Sequence, residues 1–214
     1  MEETVLGRRE ENKQRTRSAL ERAAARLFEE RGFDGTTVRD IALAAGVGER
    51  TFFRYFPSKE DLIFQEVRDL LPGLMRRVRE RPAAESLLTA LLEAILEWLA
   101  DTGAPPTILV AGPQKPTGQQ HAEGHVLVHD VEAAIVDAFL DRLVAAGADR
   151  GARSTLLRAV VWANAGVGAV RATMIASPQG DPCEPDRPLA QPGVGRSTKE
   201  VADLLREAFA ALEP

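Results

Sequence analysis

Apolar residues recur along this chain at three- and four-residue steps and nowhere alternate, so the pattern predicts helices and no strands. In residues 10–31 the stripe is Leu20, Ala23, Ala24, Leu27 and Phe28; Gly32 stops it and Phe33 can fold back on the last turn. Thr37, with Asp40 three positions on, supplies the oxygen cap and first-turn acid of a short helix over residues 38–45. Gly46 ends it, and only Val47 and Gly48 precede a third helix over residues 49–55. Pro57 breaks that helix, and Ser58 caps a fourth carrying Leu62, Ile63, Val67, Leu70, Leu71, Leu74 and Val78. Pro72-Gly73 predicts that the fourth helix ends near Leu71 or kinks. Past Pro82, helical periodicity returns over residues 83–101, 121–146, 153–176 and 197–212, separated by proline-rich loops at 102–118 and 177–196.

Two short helices joined by Gly46-Val47-Gly48 must pack closely, which demands a small residue where they meet. Ala42 supplies it, and Ile41, Ala45, Val47, Phe52 and Tyr55 supply the apolar contacts. This is a helix-turn-helix pattern over about residues 37–56, whose second helix offers its exposed face to a DNA major groove.

Composition refines this picture. The chain has 214 residues, 44% of them hydrophobic and 28% charged, enough for one or two domains with a real core. Its net charge of -5 hides an asymmetry: residues 1–81 hold 17 Lys+Arg against 15 Asp+Glu, and the remainder 10 against 17. A mildly acidic total therefore does not exclude nucleic acid, because Arg39, Arg50, Arg54 and Lys59 gather around the second and third helices. A single cysteine, Cys183, leaves no intramolecular disulfide and no Cys-x-x-Cys pair, and the first thirty residues have no signal-peptide core, so a cytoplasmic protein away from membranes is expected.

Over residues 15–62 the chain resembles the TetR-type (AcrR-like) transcriptional regulators. The resemblance is carried by Leu20, Ala24, Leu27, Phe28, Gly32 and Phe33, then Thr36-Thr37-Val38, Ile41-Ala42, Ala45-Gly46-Val47, Thr51-Phe52-Phe53, Tyr55-Phe56 and Ser58-Lys59-Glu60. It implies an all-α fold: a three-helix DNA-binding domain over residues 12–74, followed by a helical dimerisation and effector-binding domain over 83–214. It also implies that Thr37, Thr51, Phe53, Tyr55 and Lys59 touch phosphates while Glu49, Arg50 and Arg54 face bases, with Arg39 an added basic group. The chain departs from the family at Gly48, usually Ser or Thr, and at Phe53, commonly Tyr.

In the second half, residues 159–170 (AVVWANAGVGAV) carry no charge, so a helix there should be buried on more than one side. Ala163, Gly166 and Ala169 are small enough for close helix approach, and the resemblance implies a homodimer through the last two helices, with Leu204 and Leu205 at its interface. It also implies a small-molecule effector, for which Trp98, Phe139, Trp162, Asn164, Arg171, His125 and His129 are candidate contacts. His121, His125 and His129 repeat at four-residue spacing, too spread for all three to bind one ion, so no metal or other cofactor is assigned. The leading expectation is a non-enzymatic repressor released from a palindromic operator by its effector. The alternatives are a ligand-independent DNA-binding dimer and a metal-dependent enzyme using the three histidines, for which no hydrolase, Walker or Rossmann fingerprint stands in the chain.

Overall fold

A computed structural model of the chain describes residues 2–33, 35–111, 120–175 and 197–212. Among the described residues the elements are all helices: α1 (Glu2–Arg31), α2 (Val38–Ala44), α3 (Glu49–Tyr55), α4 (Glu60–Glu80), α5 (Leu87–Thr102), α6 (Thr107–Ala111), α7 (Gln120–Ala145), α8 (Arg153–Ile175) and α9 (Thr198–Ala210). The all-α expectation holds. Helix α1 begins earlier than its apolar stripe, because a solvated stretch held by pairs such as Glu10–Lys13 gives no periodicity to read.

Two boundaries differ from expectation for identifiable reasons. Helix α4 does not end near Leu71; it runs through Pro72, which is exposed, so the missing N–H faces solvent. Helix α6 lies where the prolines predicted only loop. Pro105 and Pro106 precede it, where a missing N–H is harmless, and the Leu109 amide donates to Pro106 O at 2.9 Å. The 177–196 loop and Cys183 lie outside the described residues.

The chain packs around two main cores. The first gathers Leu20, Leu27 and Phe28 of α1, Ile41 of α2, Phe52 of α3 and Ile63 of α4. The second gathers Val78, Leu91, Leu99, Phe139, Ala163 and Leu205 from α4, α5, α7, α8 and α9. A smaller cluster of Phe64, Val67 and Leu127 lies between α4 and α7, and Ile108 of α6 packs against all three.

Small residues on α8 serve this second core. Ala163 and Ala169 are buried, and a Cβ on Gly166 would stand 2.6 Å from Leu91 Cδ2, so glycine is what lets α5 approach. Leu205 is also buried and Leu204 half-buried. The expected dimer contacts Ala163, Gly166, Ala169 and Leu205 are therefore internal. The uncharged segment is buried on one side only, and α8 exposes Leu156, Leu157 and Val161 on the other.

Candidate nucleic-acid interface

Helix α2 is closed at both of its ends. Thr37 caps α2 reciprocally: the Asp40 amide donates to Thr37 Oγ1 (3.2 Å), while the Thr37 amide and hydroxyl donate to Asp40 Oδ2 (3.0 and 2.6 Å). Those bonds from Thr37 hold the Asp40 carboxyl below the usual carboxylate range. At the other end Gly46 adopts φ 72°, and the Gly46 and Val47 amides donate to Leu43 O and Ala42 O (3.0 and 2.9 Å), the paired bonds of a Schellman closure. Helix α3 then starts from Gly48, which offers no side-chain cap. Ile41, Ala42 and Phe52 are sealed between the helices.

With one side of α3 thus committed, Glu49, Arg50, Phe53 and Arg54 share its exposed face, and Thr51 and Tyr55 are half-buried at its edges. Arg39 and Thr37 are exposed on α2. Arg54 lies over the Tyr55 ring, 5.2 Å from its centroid, which leaves its guanidinium edge free to donate. Among the described residues none of Arg39, Arg50 and Arg54 is within ion-pair distance of an acid, Glu49 included.

Lys59 sits differently from the expectation of a free phosphate contact. Its ammonium donates to Phe33 O (2.8 Å) and Thr36 O (3.2 Å) and lies 4.0 Å from the Phe33 ring centroid. Two of its three protons thus anchor α4 to the α1–α2 connection. Thr36 completes this joint from a fully buried position, donating to Leu27 O and Gly32 O (3.1 and 2.8 Å). The start of α4 follows expectation, for Ser58 and Asp61 cap each other.

The candidate effector contacts do not converge. Phe139 is fully buried, and Trp98 and Trp162 are half-buried against the same core. Asn164, Arg171 and His129 are exposed, and the Asn164 amide donates to Val160 O of its own helix (2.9 Å). The side chains of His121 and His125 lie outside the described residues. Two polar residues that the sequence reading passed over join the elements instead. Glu66 accepts from the Thr107 amide at the start of α6 (3.0 and 3.2 Å), and burial pushes its carboxyl above the usual range despite that bond. Arg142, buried, donates to the carbonyls of Val78, Arg81, Pro82 and Glu85. Each was visible as a lone charge within an apolar stripe.

The motif and its cationic face define a helix-turn-helix protein. Residues 21–65 match the model described as bacterial regulatory proteins, tetR family. That stretch of the chain is thus similar to the DNA-binding domain of the TetR family. Among curated relatives the chain is 39% identical over 85 residues to the transcriptional regulator TcmR of Streptomyces glaucescens, covering 40% of this chain and 38% of that one. It is 40% identical over 87 residues to the transcriptional repressor KstR2 of Rhodococcus jostii, covering 37% and 43%. The chain thus spans well under half the length of these relatives. A structure of Thermus thermophilus FadR, a TetR-family repressor in complex with lauroyl-CoA, shares the fold with a TM-score of 0.57 at 24% identity over 92% of both chains. Pseudomonas aeruginosa NalD, the secondary repressor of an efflux pump, does so with a TM-score of 0.55 at 17% identity over 94% and 96%. Among the described residues no helix is long and apolar enough to cross a membrane.

Proposed function

We propose that the protein is a sequence-specific DNA-binding regulator, a repressor that binds a palindromic operator as a homodimer and leaves it when a small molecule binds the second half of the chain. The observation that carries this reading is the exposed α3 face, where Arg50 and Arg54 stand without acidic partners beside an α2 that is closed at both ends. An unpaired guanidinium on a helix that fits the major groove can pair with guanine O6 and N7, while hydroxyls and helix ends set register on phosphates. The relatives that match this domain, a transcriptional regulator and a transcriptional repressor, support the same role.

The body serves as dimeriser and sensor in this reading, with no catalytic chemistry. The exposed apolar face of Leu157 and Val161 on α8 supplies the seam in this reading, which requires the two α3 helices to stand about one DNA turn, ~34 Å, apart. An effector releases DNA only by favouring an arrangement the operator disfavours. Helix α6 is the element that transmits such a preference, since Ile108 touches both main cores and Glu66 ties the start of α6 to α4.

Selection of bound duplexes from a random pool tests the reading. It predicts enrichment of one palindrome with half-site centres about 10 base pairs apart. Equal, weak retention of every sequence by a monomeric protein would overturn it.

A further inference from the structure

Phe53 stands in the middle of the cationic α3 face with 53% of its surface in solvent, and it has no hydroxyl with which to bond a phosphate. Its ring is nevertheless held. It meets Phe52 edge to face, with centroids 5.5 Å apart at 84°, and Phe52 is fully buried and packs on Phe56 at 5.8 Å. An exposed aromatic anchored on a core ring loses little freedom on binding, so its apolar surface is prepared for a partner.

We propose that Phe53 is a base-reading residue whose ring covers the C5-methyl group of a thymine in the major groove. This rests on the DNA-reading role proposed above. On a helical face Phe53 lies three positions from Arg50 and beside Arg54, so a helix docked with those guanidiniums toward base edges turns the ring toward the same groove. Base edges there present donors and acceptors, which an apolar ring cannot satisfy, and the thymine methyl is their one apolar group in unmodified DNA. The pattern of Arg50, Phe53 and Arg54 therefore specifies guanines read by hydrogen bonds with a thymine read by contact between or beside them.

The test replaces thymine by deoxyuridine, one position at a time, in the palindrome recovered by selection; this deletes the methyl and leaves pairing intact. We expect one thymine per half-site at which the change weakens binding about three- to five-fold, the order set by burying one methyl, and about ten- to twenty-fold when both half-sites carry it. Replacing the deoxyuridine by 5-methylcytosine, paired with guanine, should restore part of the loss, since it returns the same methyl. Phe53→Ala should bind thymine and deoxyuridine operators alike, and Phe53→Leu, which keeps an apolar contact, should retain part of the difference. Leu43→Ala is the control: Leu43 is 77% exposed on α2, the helix that crosses the backbone, and its removal should leave the thymine preference whole. A specific operator indifferent to every deoxyuridine overturns the Phe53 assignment while leaving DNA reading intact, as does a thymine preference that survives in Phe53→Ala. A pool that yields no preferred sequence overturns both.

Discussion

The α2–α3 surface and the face where α4, α5 and α7 meet use the same cation, arginine, in opposite ways. In the body Arg79 and Arg150 each bridge Asp137 and Asp141, Arg77 meets Asp101, and Arg81 is clasped by Glu85 and Glu97. On the α2–α3 surface, among the described residues, Arg39, Arg50 and Arg54 make no ion pair, although the charge of Arg39 helps hold the neighbouring Asp40 carboxyl down. Exposed apolar groups divide likewise. Phe53 lies among those free cations, whereas Leu156, Leu157 and Val161 form a run on α8. Net charge therefore says little about where the proposed DNA contact lies. Unpaired arginines alone do not mark it either, since Arg153, Arg158 and Arg171 of α8 are exposed without ion pairs among the described residues; what marks the α2–α3 surface is that the unpaired guanidiniums of Arg50 and Arg54 stand on the second helix of a helix-turn-helix.

The sharpest way to break the contrast is to remove a body arginine that works inward. Arg142→Ala leaves the carbonyls of Val78, Arg81, Pro82 and Glu85 without their shared donor, and should cost about 3 kcal/mol or more. Thermal unfolding should shift down by roughly 6 to 12 °C, while the sequence preference of the folded protein stays unchanged. Val161→Glu, on the open side of α8 where Val161 is 61% exposed, should leave the fold intact and split the dimer. Sedimentation would then report a monomer, and affinity for the palindrome should fall about 100-fold as the two half-sites lose their linkage. Arg54→Ala should cost about 1 to 3 kcal/mol on the preferred operator and relax one position of each half-site. Arg79→Ala, a body arginine of similar exposure, should leave a binding titration unmoved.

How far the sequence could be read also differs between the two regions. The limits of α3, the turn at Gly46 and the Thr37 cap were legible because each follows from local chemistry: a helical stripe, a left-handed glycine, an oxygen acceptor. The long-range use of Lys59 was not, since nothing nearby in sequence shows that Phe33 O and Thr36 O will stand within reach of its ammonium. In the body the helices were legible and their orientation was not. Gly166 correctly signals close approach, but the approaching helix is α5 of the same chain, and Ala163 and Ala169 are likewise buried in the chain's own core, because periodicity identifies a face without naming its neighbour. Helix α6 was hidden by prolines that suit a helix start as well as a loop.

Glu66 sharpens the comparison at the joint between the regions. Its carboxyl is raised above the ordinary 4.5, chiefly by burial, so the neutral form suits the folded state better. The stability this group contributes is whole below that ordinary value and is lost as pH rises through the raised one. Glu66→Gln keeps an oxygen for the Thr107 amide without the charge. Relative to the parent, denaturation midpoints of the variant should therefore rise as pH climbs above 4.5 and level off once the raised value is passed. A constant difference across that range would show that the joint does not depend on the carboxyl's ionisation.

The smallest effect concerns the turn itself, where the two caps of the motif are unequal. Helix α2 has the reciprocal Thr37–Asp40 cap, but α3 begins at Gly48 with only its carbonyl accepting, from the Thr51 amide at 2.8 Å. Gly48 has φ -88° and ψ 158°, a conformation open to any residue, and a Cβ there would meet nothing within 4 Å. Gly48→Ser therefore adds a hydroxyl acceptor at the N-cap and removes backbone freedom from the unfolded chain, without strain in the folded one. The gain should be about 0.5 kcal/mol, a rise of roughly 1 to 2 °C in Tm. Because a hydroxyl at this helix end can also meet a phosphate, affinity should rise by a similar factor on specific and unrelated duplexes alike. A change in which bases are preferred would mean instead that the turn residue reaches into the groove, and that base reading extends beyond the face bearing Arg50 and Arg54.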